Sequence, residues 1–146
     1  MNTVATATLP TVKIELPTGL LNNRASVGWT LLEDVPLIGN EELELVNFFP
    51  DDEYFEYFFH GSVVFDRAVK LGNRAGWLHA EHLLRYDVRI PEEWRSFLLV
   101  FSGTRWRDSA GDDVVLMLGW DNTIWDLSWK WINTNWGGRM RLVRFK

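Results

Sequence analysis

The chain has 146 residues and no cysteine, and this absence removes several classes of protein. Without cysteine there is no disulfide framework, no thiolate zinc site and no cysteine nucleophile. Residues 1–10 contain neither a basic side chain nor an apolar core, so the pattern of a secretory signal peptide is missing. No run of about eighteen apolar residues occurs either, which argues against a membrane-spanning helix. We therefore expect a cytoplasmic protein that makes no contact with a membrane.

Motifs of the common enzyme classes are also missing. There is no glycine-rich phosphate loop, no nucleophile elbow and no dinucleotide fingerprint. His79 and His82 lie three residues apart, whereas the metalloprotease pattern needs histidines four apart. We expect these two to be partly exposed helix residues, and we predict neither a metal nor a cofactor. A small-molecule enzyme, with a pocket between sheet and helices that uses a histidine or a carboxylate, stays an alternative.

The chain is rich in aromatic and other apolar residues. Nine tryptophans and nine phenylalanines contribute to a composition that is 47% hydrophobic and 24% charged. A chain of this length buries roughly 68–70% of its unfolded surface, so it needs no disulfide or metal ion to fold. Its length fits one domain. The composition therefore predicts a single globular domain over residues 1–146.

Charge and tryptophan are divided unequally along the chain. Residues 1–73 carry a net charge of −7, and residues 74–146 carry +2. Eight of the nine tryptophans lie in the second part. No stretch rich in Gly, Ser or Pro separates the two parts, so we place no linker between them. We expect two different surfaces on one fold.

Hydrophobic periodicity predicts an α+β fold. Residues 1–49 are strand-rich, because apolar and polar side chains alternate there in two places. Two central helices follow within residues 62–86. The first is delimited by Ser62 as N-cap and Gly72 as the residue after its end, and the second spans 76–86 with one apolar face.

From residue 97 onward the chain has the character of strands. Alternating segments separated by turn signals predict an antiparallel meander of about four strands over residues 97–145. We place the last strand, residues 139–145, at an edge of the sheet. A homodimer through that edge is a possible assembly.

Five segments within residues 62–145 also carry a resemblance. They are AEHLL at 80–84, IPEEWR at 90–95, LVFSGT at 99–104, WRDS at 106–109 and RLV at 141–143, with tryptophans between the last two. This part of the chain resembles a group of small uncharacterised bacterial proteins, of the kind carried as cargo by mobile elements and gene cassettes. The resemblance implies one helix-plus-meander unit and no particular chemistry.

The predicted strand at residues 124–132 presents a ladder of tryptophans. Alternation places Trp125, Trp129 and Trp131 on one side of it. This side either packs on the two helices as core, or lines a groove where indole rings stack on a ligand. We expect at least two of the seven tryptophans from Trp94 to Trp136 to be partly exposed. The leading hypothesis is a non-enzymatic binding module, with candidate ligand-binding residues Trp106, Trp125, Trp129, Trp131, Trp136, Arg139 and Arg141.

Basic residues accompany these rings, and arginine next to aromatic rings is how single-stranded nucleic acid is held. The net charge of −5 argues against nucleic acid as a partner, because such domains carry a strong basic excess. We therefore interpret the basic residues as solvated charges on edge strands, which blunt strand pairing.

An acidic and aromatic run at residues 51–60 supports a second hypothesis. Its carboxylates either face water while the rings cover the core, or form a surface that docks a basic partner, as an inhibitor or immunity protein does. The candidate partner-binding residues are Asp51, Asp52, Glu53 and Glu56.

Overall fold

A sheet of seven strands organises the chain. The computed structural model describes residues 10–13, 27–37, 41–49, 58–85 and 90–146. The strands of the described residues are β1 (Val12–Lys13), β2 (Thr30–Glu33), β3 (Glu42–Val46), β4 (Phe58–His60), β5 (Leu98–Arg107), β6 (Asp113–Trp120), β7 (Trp125–Trp131), β8 (Asn135–Gly137) and β9 (Met140–Phe145). The helices are α1 (Gly61–Leu71), α2 (Trp77–Arg85) and a short 3₁₀ helix (Glu92–Ser96).

The strand order of the main sheet is β1-β3-β9-β5-β6-β7, with β2 paired to β5. Within the described residues all pairs of this sheet are antiparallel except β5 with β9. β4 and β8 form a separate two-stranded ribbon. The fold class predicted from the sequence, one α+β domain with N-terminal strands, two central helices and C-terminal strands, is confirmed. Neither α1 nor α2, the α-helices of the described residues, is long and apolar enough to cross a bilayer.

The position predicted for the last strand is wrong. β9 is not an edge strand but lies between β3 and β5, with Leu142 opposite both Val46 and Val100. Met140, Leu142 and Val143 are buried, as both faces of a central strand must be. A homodimer stays a prediction. It cannot form by strand pairing along β9, because both edges of β9 are already paired.

The two helices cover opposite faces of the main sheet. α1 packs Val64 and Ala68 on the face formed by Val100, Val115 and Leu142. α2 packs on the other face, because strand side chains alternate. Its apolar residues Ala80 and Leu83 share a core with Leu99, Leu116 and Val143.

Within the described residues both helix predictions agree with the structure to within two residues, the usual uncertainty of helix boundaries. The N-cap of α1 is His60 rather than Ser62, and the His60 Nδ1 accepts a hydrogen bond from the Ser62 amide at 3.2 Å. Gly72 follows the helix with φ +73°, a conformation that glycine adopts without a Cβ penalty.

The chain passes from one face of the sheet to the other within residues 73–76, here called the crossing segment. The Ala75 amide donates to the Val143 carbonyl at 3.0 Å, and the Gly103 amide donates to the Ala75 carbonyl at 2.8 Å. The crossing segment is therefore bonded to β9 on one side and to β5 on the other. It fills the sheet where those two strands separate.

Gly103 makes this close approach possible. A Cβ at Gly103 would lie 2.5 Å from the Arg74 carbonyl oxygen and 2.8 Å from that of Ala75. Both atoms are backbone, and they are held by the hydrogen bonds of the sheet, so neither moves aside cheaply. Glycine is required here by space rather than by a turn.

We predict that Gly103→Ala lowers the free energy of unfolding by roughly 1–3 kcal/mol, because overpacking displaces the crossing segment. The measurement is urea unfolding followed by tryptophan fluorescence. Gly119→Ala is the matched control, since its Cβ meets Leu98 Cδ2 at 3.1 Å, the end of a flexible side chain. Equal losses for the two variants would contradict the explanation.

Candidate ligand-binding site

Three of the five tryptophans predicted to bind a ligand lie in the core. Trp106, Trp125 and Trp136 are buried. Trp106 packs edge-on against Trp77, with ring centroids 6.4 Å apart. The Trp136 Nε1 donates to the Trp131 carbonyl at 3.0 Å. These rings stabilise the interior and present no face to a ligand.

The other two, Trp129 and Trp131, are half-buried and meet Trp29. The Trp29 ring stands edge-on to both, with centroid distances of 5.1 Å and 6.3 Å. The Trp131 Nε1 donates to Asp108 Oδ2 at 2.9 Å, and this bond lowers the pKa of the Asp108 carboxyl. The tryptophan ladder is thus core at Trp125 and part of a surface cluster further along β7.

Trp120 is also half-buried, and Arg95 covers it with its guanidinium carbon 3.9 Å from the ring centroid. Together with Trp129 and Trp131 it makes three partly exposed tryptophans among those from residue 94 to residue 136. The expectation of at least two is confirmed.

The two predicted arginines lie in different environments. Arg141 is buried, and its Nη1 donates to the carbonyls of Gly138 and Met140 at 2.6 Å and 2.8 Å. Its guanidinium carbon lies 4.8 Å from the centroid of the Phe97 ring. Arg139 is exposed and lines a pocket on the α1 side of the sheet. Arg139, and not Arg141, presents its guanidinium to a ligand.

This pocket, called the ribbon pocket below, has a volume of about 270 Å³. It lies between the main sheet and the β4–β8 ribbon. Its lining combines apolar side chains, two glycines and three polar side chains: Phe58, Leu98, Met117, Lys130, Asn135, Gly137, Gly138, Arg139 and Met140.

The local sequence explains why the pocket stays open. α1 starts directly after β4, and its residues Val64 and Ala68 share a core with Val100 and Val115, whereas no α1 residue lines the pocket. Phe58 forms a wall and remains 67% exposed. A Cβ at Gly137 would lie 3.1 Å from the Phe58 ring, so glycine lets the ring lie against the β8 backbone.

Lys130 and Arg139 make the pocket cationic. Neither has a carboxylate partner within ion-pairing distance among the residues that the structure describes. Arg139 is fixed by its Nε and Nη2, which donate to the Ser96 carbonyl at 3.2 Å and 2.9 Å. Its remaining donors are available, because guanidinium carries five N–H groups. The pocket therefore joins positive charge to an apolar floor.

The apolar half of this site was missed in the sequence. Leu98, Met117 and Met140 belong to three strands, and they come together only when β9 inserts beside β5. One signal was present, since alternation on β6 places Met117 opposite the face of Leu116 and Leu118. Nothing in the local pattern shows that α1 leaves this end of the face uncovered.

The prediction of partly exposed histidines is wrong. His79 and His82 are 0% and 5% exposed, because α2 turns this side of the helix to the sheet. The His79 Nδ1 accepts from the Gly76 amide at 3.0 Å, and its Nε2 lies 3.6 Å from Glu41 Oε2. Burial lowers the pKa of His79, more than the nearby carboxylates raise it.

The acidic docking residues and a metal-binding cluster are the two remaining candidates. Asp51, Asp52, Glu53 and Glu56 lie outside the described residues, so the acidic docking surface stays a prediction. In the described ranges no three His, Asp or Glu side chains converge as they would to hold a metal ion.

Comparisons with protein-family models, curated proteins and solved structures find no match to this chain. The resemblance described from the sequence stays a prediction. A functional assignment therefore rests on the geometry of the chain itself, and the ribbon pocket is a well-defined concave site within the part of the chain that the structure describes.

We predict that His79 makes stability depend on pH. Its folded-state pKa is below the unfolded value of about 6.5, so the unfolded chain binds the proton more readily. Stability is therefore full above about pH 6.5, and it falls as the pH drops from there toward the folded-state pKa. Urea unfolding at a series of pH values from 7.5 to about 5 measures this loss.

His79→Asn is the matched variant, because an amide oxygen can accept the Gly76 bond without titrating. The pH profile of the variant should be flatter than that of the wild type in this window. Parallel profiles would show that another group carries the dependence.

Proposed function

We propose that this chain is a non-enzymatic binding module that holds a small ligand in the ribbon pocket. The observation that carries the proposal is the pairing of an apolar floor with two cationic side chains, Lys130 and Arg139, that have no carboxylate partner among the described residues. A concave apolar site with a few convergent polar groups is the usual form of a ligand pocket.

Binding is favoured over catalysis by the chemistry of the lining. The pocket residues include no carboxylate, no imidazole and no hydroxyl. Histidine and carboxylate side chains are the groups that most often carry out general acid–base catalysis. A lysine and an arginine beside an apolar floor instead suit the holding and orientation of a ligand.

The tryptophan surface predicted from the sequence stays a separate prediction. Trp129 and Trp131 lie on the α2 side of β7, whereas Lys130 lies on the α1 side and lines the pocket. A ligand in the ribbon pocket therefore does not stack on the ladder. The cytoplasmic location also stays a prediction.

We predict that 1-octanol, a neutral probe with a short apolar tail, binds in the pocket. Titration into ¹⁵N-labelled protein should shift the amide signals of Asn135, Gly137, Gly138 and Arg139. Asn135→Trp should abolish these shifts, because Asn135 is exposed at the pocket wall and an indole there fills the space.

The matched control is Asn133→Trp, an equal substitution at an exposed turn position outside the pocket. This variant should keep the octanol response. Shifts that avoid residues 135–140, or that persist in Asn135→Trp, would overturn the proposed function.

A further inference from the structure

We infer that the ligand of the ribbon pocket is a small anionic amphiphile, with an anionic head between Lys130 and Arg139 and a short aliphatic tail on the floor. This inference rests on the proposed binding function and adds the chemical class of the ligand. It is carried by the way charge and apolar surface are divided within the lining.

The head position follows from how Arg139 is held. Two of its nitrogens bond to the Ser96 carbonyl, so the guanidinium is anchored before any ligand arrives. An anchored guanidinium loses little freedom on binding, and its remaining N–H groups donate directional hydrogen bonds to an oxyanion. Lys130 adds a second positive charge at the same pocket.

The opposite charge is poorly matched at this site. A cationic ligand would meet two like charges and no carboxylate from the lining. A neutral ligand can accept hydrogen bonds from these cations, but it brings no opposite charge. Only an anion adds charge–charge attraction to its hydrogen bonds with Lys130 and Arg139.

The tail position follows from the floor. Leu98, Met117 and Met140 present aliphatic and thioether groups, and methionine adapts its shape to irregular chains. The Phe58 ring closes one side. Each methylene buried against this surface strengthens binding about fourfold.

The volume limits the tail. Ligand pockets commonly span about 300–1,000 Å³. At about 270 Å³ the ribbon pocket lies just below this range, so it suits a short single chain. The α1 side chains close the floor toward Val100 and Val115, which prevents a longer tail from extending along the sheet.

The test compares three probes of the same tail length: octanoate, 1-octanol and octylammonium, each below its micelle concentration and at low ionic strength. Octanoate should bind about tenfold more tightly than octanol, because a hydrogen bond to a charged group adds that much. Octylammonium should bind most weakly. Octanoate affinity should fall as salt is added, because Lys130 and Arg139, which contact its carboxylate head, are partly exposed and salt screens their charge.

Substitutions show which side chains cause the preference for octanoate over octanol. Arg139→Gln should remove most of the preference for octanoate over octanol, and Lys130→Met should reduce it while keeping the aliphatic stem. Arg95→Gln is the matched control, because Arg95 is an exposed arginine that stacks on Trp120 outside the pocket. That control should keep the full preference.

The outcomes test separately the anionic class of the ligand and the binding function of the pocket. Equal affinities for octanoate and octanol, or tighter binding of octylammonium, would overturn the anionic class and leave the binding module intact. A preference that Arg95→Gln removes as strongly as Arg139→Gln would also overturn it, since only net charge would then matter. Failure of all three probes to shift residues 135–140 would overturn the binding function itself.

Discussion

The close backbone contact between Ala75 and Gly103 is the constraint on which the rest of the fold depends. α1 and α2 cover opposite faces of one sheet, and the chain between them passes through the plane of that sheet and not around its edge. It does so as a short strand-like segment, bonded to β9 by the Ala75 amide and to β5 by the Ala75 carbonyl. No polar backbone group is left unpaired at these two bonds, which is the condition for burying such a passage.

Side chains reinforce the same passage. The Arg74 Nη1 donates to the Ser102 carbonyl at 2.9 Å, and its Nη2 bonds Glu33 at 2.6 Å. The Thr104 hydroxyl accepts from the Trp77 amide, at the start of α2, and donates to Asp34. β2, the crossing segment and β5 are thereby joined, so the position of each helix on its face is fixed. The uncovered end of the α1 face, where the ribbon pocket lies, is a result of that fixed position.

Local signals in the sequence were sufficient to predict the two helices. The apolar spacing and Gly72 are properties of neighbouring residues, so the limits of α1 and α2 could be predicted to within two residues. The N-cap was misassigned because histidine is an uncommon cap, and Ser62, two residues later, fits the usual preference.

The position of β9 could not be predicted in this way. Its pairing partners, β3 and β5, lie far away in sequence, and its arginines give it the pattern of a strand exposed on one side. Arg141 is nevertheless buried, with its guanidinium bonded to backbone carbonyls of its own turn. The ribbon pocket was missed for the same reason, because its floor exists only when β9 lies beside β5. The buried histidines were missed because their environment is supplied by the sheet and not by α2.

The central place of β9 also determines when this domain can fold during synthesis. Ala75 needs Val143 as its partner, and β3 and β5 meet only through residues 140–145. A nascent chain that has passed residue 130 therefore has both helices and most strands, yet it cannot close its core. Domain closure must wait until β9 has left the ribosome, and until then the facing edges of β3 and β5 expose unpaired backbone N–H and C=O groups to chaperones and to other nascent chains.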